Sequence, residues 1–364
     1  MLTTVFGKKR EQARFFTNQM ELYLAQLRER QDLDEAGIQE VSGMLLDESL
    51  DHEAKADLLA ALSEKGETAS EIAGFAREFL KRAVDPGLDG SAIGKPLLDV
   101  CGTGGDKLNT FNVSTTCVFV LAAAGIGVVK HGNRGITSKS GGADVLEALG
   151  IRIDLSPEDF CRCVAEVGAG FLFAPMYHPA FKAVVPVRQL LATRGQRTIF
   201  NLLGPLLNPV QPDFQVIGVF DENVGADFAE ILSQLGRTRA WAVHGKTEDG
   251  AGMDEISNLG NTSVWETSPE GCSQFTISPA ALGITPSLTS ELEGGDAKVN
   301  AGILTGILSG TMRGAKRDIV TLNSAAGLVV TGKAASIEEG IEKAEECIDS
   351  GAAKAILEKW QAFS

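Results

Sequence analysis

No apolar run in the chain is long enough to cross a membrane, and no secretory signal pattern is present. The expected location is therefore cytoplasmic, with no membrane partner. Basic residues are in short supply. The 33 Lys and Arg stand against 48 Asp and Glu, for a net charge of -15. That deficit disfavours a general nucleic-acid surface, so no nucleic-acid partner is expected. It also means that a phosphate ligand must be caught by a local positive site. Cysteine is dispersed, at Cys101, Cys117, Cys161, Cys163, Cys272 and Cys347. Cys161 and Cys163 sit close together in a helical pattern but face different directions, a poor metal pair. Free thiols are the default. Internal repeats and low-complexity segments are absent. Neither His131 nor His178 accompanies a serine or cysteine nucleophile signature, so no triad is read.

What is present is a globular composition. The chain has 364 residues, 44% of them hydrophobic, enough for a large domain with an appendage or for two domains. Residues 1–92 read as helices without strand signals. Asp34 and Asp51 are placed to cap helices, and Thr68 with Glu71 forms a capping box. Asp85-Pro86-Gly87 then breaks the pattern. From Leu97 strands and helices alternate, which predicts an α/β class with a mostly parallel central sheet. Leu97–Val100, Gly127–Lys130, Ile151–Ile153, Gly170–Phe173, Phe214–Phe220, Ala240–Val243 and Ser263–Glu266 read as strands. Four helices are predicted to close the chain. The expected domains are a small N-terminal helical domain, 1–92, and an α/β domain, 93–364.

The stretch from Leu97 to Asp144 carries the chemistry. After the first strand come Gly102, Thr103, Gly104, Gly105 and Asp106. Glycines there let the backbone approach a ligand and turn its N–H groups inward. Asn112, Ser114 and Thr115 stand where the next helix begins, and a helix N-terminus with hydroxyls is an anion site. The second strand delivers Lys130, His131, Gly132, Asn133 and Arg134, followed by Thr137, Ser138, Lys139 and Ser140. Lys107 rules out the dinucleotide fingerprint, and no G-K-[ST] closes a P-loop. One such loop alone reads as a tight turn. Two loops, each leaving a strand end, favour a polyphosphate site.

Asp254 and Glu255 are adjacent acids in GAGMDEIS. Alone they read as a solvated turn. Beside a polyphosphate they suit Mg²⁺ bridging protein and phosphate oxygens. Arg188 and Arg197 flank RQLLATRGQR. Each reads either as a carboxylate clamp or as a surface ion pair.

Taken together, these residues resemble the anthranilate phosphoribosyltransferases, from about Leu22 to the C-terminus. The motifs are GTGGD at 102–106, FNVST at 111–115, KHGNR at 130–134, SGGADVLEALG from Ser140, HPA at 178–180, RTIFNLLGPLLNP from Arg197, VHG at 243–245, MDEIS at 253–257 and GGDAKVNA from Gly294. The resemblance implies a helical domain joined by part of 178–201, and a homodimer. It implies transfer of the phosphoribosyl group of 5-phosphoribosyl-1-pyrophosphate (PRPP) to the amine of anthranilate, with release of pyrophosphate. By the same resemblance, Gly102, Gly105, Asp106, Thr110, Asn112, Val113, Ser114, Thr115, Lys130, His131, Gly132, Asn133, Arg134, Gly135, Ile136, Thr137, Ser138 and Gly142 cradle PRPP. Ser114, Asp254 and Glu255 hold Mg²⁺. Gly102, Asn133 and Arg188 contact anthranilate. No residue is assigned covalent or acid–base work. Gly142 stands where the family usually has serine, and the segment between Arg188 and Arg197 runs slightly longer than usual. The alternatives are a same-fold transferase or phosphorylase with another aromatic or base acceptor, and a nucleic-acid-binding relative. Pyrimidine nucleoside phosphorylases carry KHS where this chain has KHGN.

Overall fold

A computed structural model describes residues 19–106, 108–135 and 139–363. The chain divides into two compact units. One holds the N-terminal residues to Ala83 together with His178–Leu207; the other holds Val84–Tyr177 and Asn208 onward. The first division falls after Ala83, earlier than the expected 92. Residues 84–92 go with the α/β unit, where Val84 N–H donates to Tyr177 C=O at 2.8 Å.

The helical unit contains α1 (Glu35–Leu46), α2 (His52–Lys65) and α3 (Ala69–Leu80). Each starts at the cap its sequence announces. Asp34 accepts Gly37 N–H, Asp51 accepts Ala54 N–H, and Thr68 with Glu71 completes the reciprocal box. The return of His178–Leu207 to this unit has a packing cause. Phe79 meets Phe181 edge-on at 5.1 Å and Phe200 in a stack at 5.6 Å. Aromatic pairs of this geometry add about 0.5–1.5 kcal/mol beyond their buried area. The returning segment opens with a 3₁₀ turn, Pro179–Ala183, followed by a helix, Val185–Thr193.

The α/β unit is built on an eight-stranded sheet. Its strands are β1 (Leu97–Gly102), β2 (Gly127–Gly132), β3 (Ala169–Phe173), β4 (Phe214–Gly218), β5 (Arg239–Lys246), β6 (Gly252–Met253), β7 (Thr262–Ser268) and β8 (Gly271–Ile277). The order is β3-β2-β1-β4-β5-β7-β8, with β6 on β5. The first five strands run parallel; β6, β7 and β8 are antiparallel additions. Ile151–Ile153 is not a strand. Its alternation is real, with Ile151, Ile153 and Leu155 buried and Arg152 and Asp154 exposed, but it pairs with no sheet neighbour.

Helix α4 (Val113–Ala123) is apolar nearly all round and buried along its length, so it lies inside the core. A second buried helix, Ala315–Val330, packs beside it. Gly327 permits the approach: a Cβ there would stand 2.7 Å from Leu121. The order β3-β2-β1-β4 places the reversal of winding at β1 and β4, where open α/β sheets bind ligands beyond the carboxyl ends of their strands.

Candidate active site

Three loops meet beyond the ends of β1, β4 and β5. The glycine loop begins at Gly102, and Thr103 N–H donates to Gly218 C=O at 2.8 Å. Gly104 and Gly105 take left-handed φ of 72° and 96°, where side chains are strained. Gly104 N–H donates to Asp254 Oδ2 at 2.7 Å. Two further glycines make room for Asp254. A Cβ on Gly218 would lie 1.5 Å from the Asp254 carbonyl oxygen, and one on Gly102 would lie 2.3 Å from Asp254 Oδ2. So Asp254 and Glu255, distant in sequence, are seated against the glycine loop.

The carboxylates crowd one another. Burial pushes the Asp254 carboxyl well above its usual range, and the charges of Asp106 and Glu255 push it further. Burial likewise raises Glu255, to about 8, with Asp106 adding to the shift and Lys130 opposing it. The backbone of Ser114, in the first turn of α4, offsets a little of that rise. Asp106 also caps its own loop, accepting Leu108 N–H at 3.2 Å. Among the described residues no three His, Cys, Asp or Glu side chains form a closed metal cage.

Lys130 is buried at the end of β2 and donates to Val100 C=O at 2.5 Å and to Ser114 Oγ at 3.1 Å. Asn112 precedes α4 without capping it. Its amide instead donates to Ser140 C=O at 3.1 Å, and its Oδ1 accepts from Asn300 at 2.8 Å. Thr115 is buried behind it, and Thr110 forms a bridge with Glu293. Val113 is core rather than surface, contributing only backbone to any ligand.

The KHGNR segment leaves β2 and is folded back by one acid. Asp144 Oδ2 accepts both Gly135 N–H and Gly141 N–H at 2.8 Å. Asn133 Oδ1 accepts Arg134 N–H, also at 2.8 Å. Arg134 is engaged by Glu147 at 2.5 and 3.0 Å and lies over the Phe173 ring. A cleft of about 460 Å³ opens beside it. Gly132 approaches Phe171 closely, and a Cβ on Gly142 would stand 3.1 Å from Thr115 Oγ1. Ile136, Thr137 and Ser138 lie outside the described residues.

Residues 94–354 match a glycosyl transferase family α/β domain, and residues 22–83 match the helical bundle domain of that family. An anthranilate phosphoribosyltransferase of Natronomonas pharaonis is 44% identical over 346 residues, covering 94% of this chain and 99% of the relative. The crystal structure of the Thermus thermophilus anthranilate phosphoribosyltransferase superposes with a TM-score of 0.85 at 38% identity, covering 94% of this chain and 98% of that one. The Saccharomyces cerevisiae enzyme, solved in complex with PRPP and Mg, gives 0.83 at 27% identity, covering 94% and 96%. The chain belongs to the anthranilate phosphoribosyltransferase family.

Membership sets the remaining residues in context. Arg188 lies in the helical unit, on Val185–Thr193, with its guanidinium 5.8 Å from the Phe200 ring centre. Arg194, within the slightly longer segment, pairs with Glu53 at 2.6 Å. His178 and His244 are buried and tied to backbone carbonyls of Leu207 and Val219, each at 2.8 Å. Thr103, Asp144 and Asn300 stand within the quoted motifs but were given no role, and Gly218 read only as part of a strand. Asp144 had a local signal, since it follows Gly141 at helix-capping spacing. Gly218 had none, and the contact of Asn300 with Asn112 was not legible, because their partners are remote in the chain.

Proposed function

We propose a division of labour for the family's reaction in this chain. The chain is a phosphoribosyltransferase of tryptophan biosynthesis. It moves the phosphoribosyl group of PRPP to the amine of anthranilate, releasing pyrophosphate. The α/β unit takes the donor. Backbone N–H groups of Gly105 and Asp106 and of the first turn of α4 are assigned to the phosphates, with the segment from Lys130 beside them. Lys130 supplies a buried positive charge, and Ser114 stands beside it. The ribosyl carbon gains positive character as pyrophosphate departs. The chain's task is to hold both reactants in line and to stabilise the leaving charge with fixed donors. The acceptor's aromatic amine is uncharged near neutrality, so no strong base is assigned. Arg188 is assigned to the anthranilate carboxylate, which its planar fork can hold through two parallel hydrogen bonds.

The crowded acids fit Mg²⁺. Carboxylates whose pKa is raised by burial and by a neighbouring Asp106 call for a cation, and two of them with phosphate oxygens suit Mg²⁺ better than a closed cage. Asp254, Glu255 and Ser114 would hold it. When bound, the ion neutralises charge on the departing pyrophosphate. We further infer a homodimer and a cytoplasmic location; among the described residues no helix is long and apolar enough to span a membrane.

The seating of Asp254 on Gly218 and Gly102 carries this reading. Purified protein with Mg²⁺, PRPP and anthranilate should lose anthranilate fluorescence in step with pyrophosphate release. Arg188→Ala should raise the anthranilate KM while PRPP binding persists. Asp254→Asn should weaken metal-dependent PRPP binding by calorimetry. PRPP binding without loss of fluorescence would point to a different aromatic acceptor.

A further inference from the structure

The ladder between β1 and β2 stops early. The strands pair only at Leu97 with Gly127 and at Leu98 with Val128. On their other sides both continue, β1 with β4 as far as Gly102 and β2 with β3 as far as Gly132. The two strands therefore part over their last residues, next to the proposed donor site. Backbone groups facing that gap need other partners, since unpaired buried polar groups are costly.

Two buried side chains supply them. Asn208 donates to Val129 C=O at 2.7 Å and to Asp99 Oδ2 at 3.0 Å. Asp99 Oδ1 accepts His131 N–H at 3.4 Å. Asn208 is itself oriented, because its Oδ1 accepts Val210 N–H at 3.0 Å. Gln215 reaches Asp99 Oδ2 at 3.5 Å and accepts from Arg237 Nε at 3.0 Å. Asp99, Asn208 and Gln215 are all 0% exposed. Between Val129 and His131 stands Lys130, whose Nζ reaches Val100 C=O on β1 and Ser114 on α4.

We propose that Asp99 and Asn208 are positioning residues, a side-chain splice that holds β1 and β2 apart and sets the reach of Lys130 and the loop after it. A continuous ladder would draw β2 onto β1 and close the space between them. An apolar filler would keep the strands apart but leave Val129 C=O and His131 N–H unpaired. Only a donor to the carbonyl joined to an acceptor from the amide does both. The proposal rests on the donor reading given above.

The test compares Asn208→Ala and Asp99→Asn with the parent. Asn208→Ala removes both donors. Asp99→Asn keeps the shape but sets an amide against the donors of Asn208 and Gln215. Each should weaken PRPP binding by about tenfold or more in calorimetry and raise the PRPP KM more than it lowers kcat. Thr331→Val, which loses a part-buried bond to Gly327 C=O at the C-terminal end of the helix Ala315–Val330, should lower Tm without moving the PRPP KM. In the parent protein, PRPP should slow hydrogen exchange at the His131 amide. Folded variants that bind PRPP within about twofold of the parent would overturn the proposal. So would a His131 amide whose exchange is indifferent to PRPP, a readout that needs no variant to fold. A parent protein that binds no PRPP would instead bring down the donor reading itself.

Discussion

Glu255 shows how one residue ties the site to pH. Its folded pKa, about 8, lies above the range of an unfolded carboxylate. Between those values the folded protein holds the extra proton, so the metal-free protein loses stability as pH rises through that window. Melting of the EDTA-treated protein from about pH 5 to about pH 9 should show this fall, and Glu255→Gln should flatten it. A rising curve across that window would contradict the assigned crowding. Gly218 gives the matching steric case. With the Asp254 carbonyl 1.5 Å from where a Cβ would stand, Gly218→Ala must shift the acid loop. We expect a cost of about 1–3 kcal/mol in denaturant unfolding. Metal-dependent PRPP binding should fall with it. At this scale the sequence was most informative where chemistry is local. GTGGD and MDEIS stood out by residue type. That Gly218 is the seat of Asp254 was not legible, because steric fit between remote segments leaves no mark on either one.

Elements were legible where their signals are contained within them. Asp34, Asp51 and Thr68 with Glu71 all cap helices as expected, and Ser156 caps the helix Pro157–Val167. Ser336 accepts Glu339 N–H, while the Glu339 side chain accepts Ala335 N–H. Thr68→Ala should cost about 1 kcal/mol, read as a lower melting temperature of the helical unit. Kinetic constants should move little, since Thr68 touches no proposed ligand residue. Strands fared worse, and the reason is physical. A strand exists only with a partner. Ile151–Ile153 alternates like a strand yet has none. β8 is exposed along most of its length and shows little apolar pattern, yet it is paired throughout with β7. β6 consists of Gly252–Met253 and serves to turn the chain from β5 into the acid pair.

At the scale of the whole molecule, ligand and charge set the behaviour. PRPP with Mg²⁺ binds only the folded chain on this reading, so it should raise Tm; at a hundredfold excess over Kd the gain is about 2.7 kcal/mol. EDTA should abolish most of that rise while leaving the unliganded Tm in place at low pH. Sedimentation equilibrium should give twice the mass of the chain if the inferred homodimer forms. The net charge of -15 keeps general polyanions away, so on the proposed reading donor capture depends on Lys130 and backbone N–H groups rather than on the surface field.

By itself the sequence determined the alternation of elements, the helix caps, the two polar loops after β1 and β2 and the acid pair. Each of these is written in residues close together in the chain. Only the tertiary structure decided which remote groups meet. It seated Asp254 on Gly218, linked Asn112 to Asn300, returned Phe181 and Phe200 to Phe79, and set Asp99 and Asn208 between β1 and β2. Packing and hydrogen bonding act over a few ångströms in space, whatever the separation along the chain, and that separation is what a reading of neighbouring residues cannot cross.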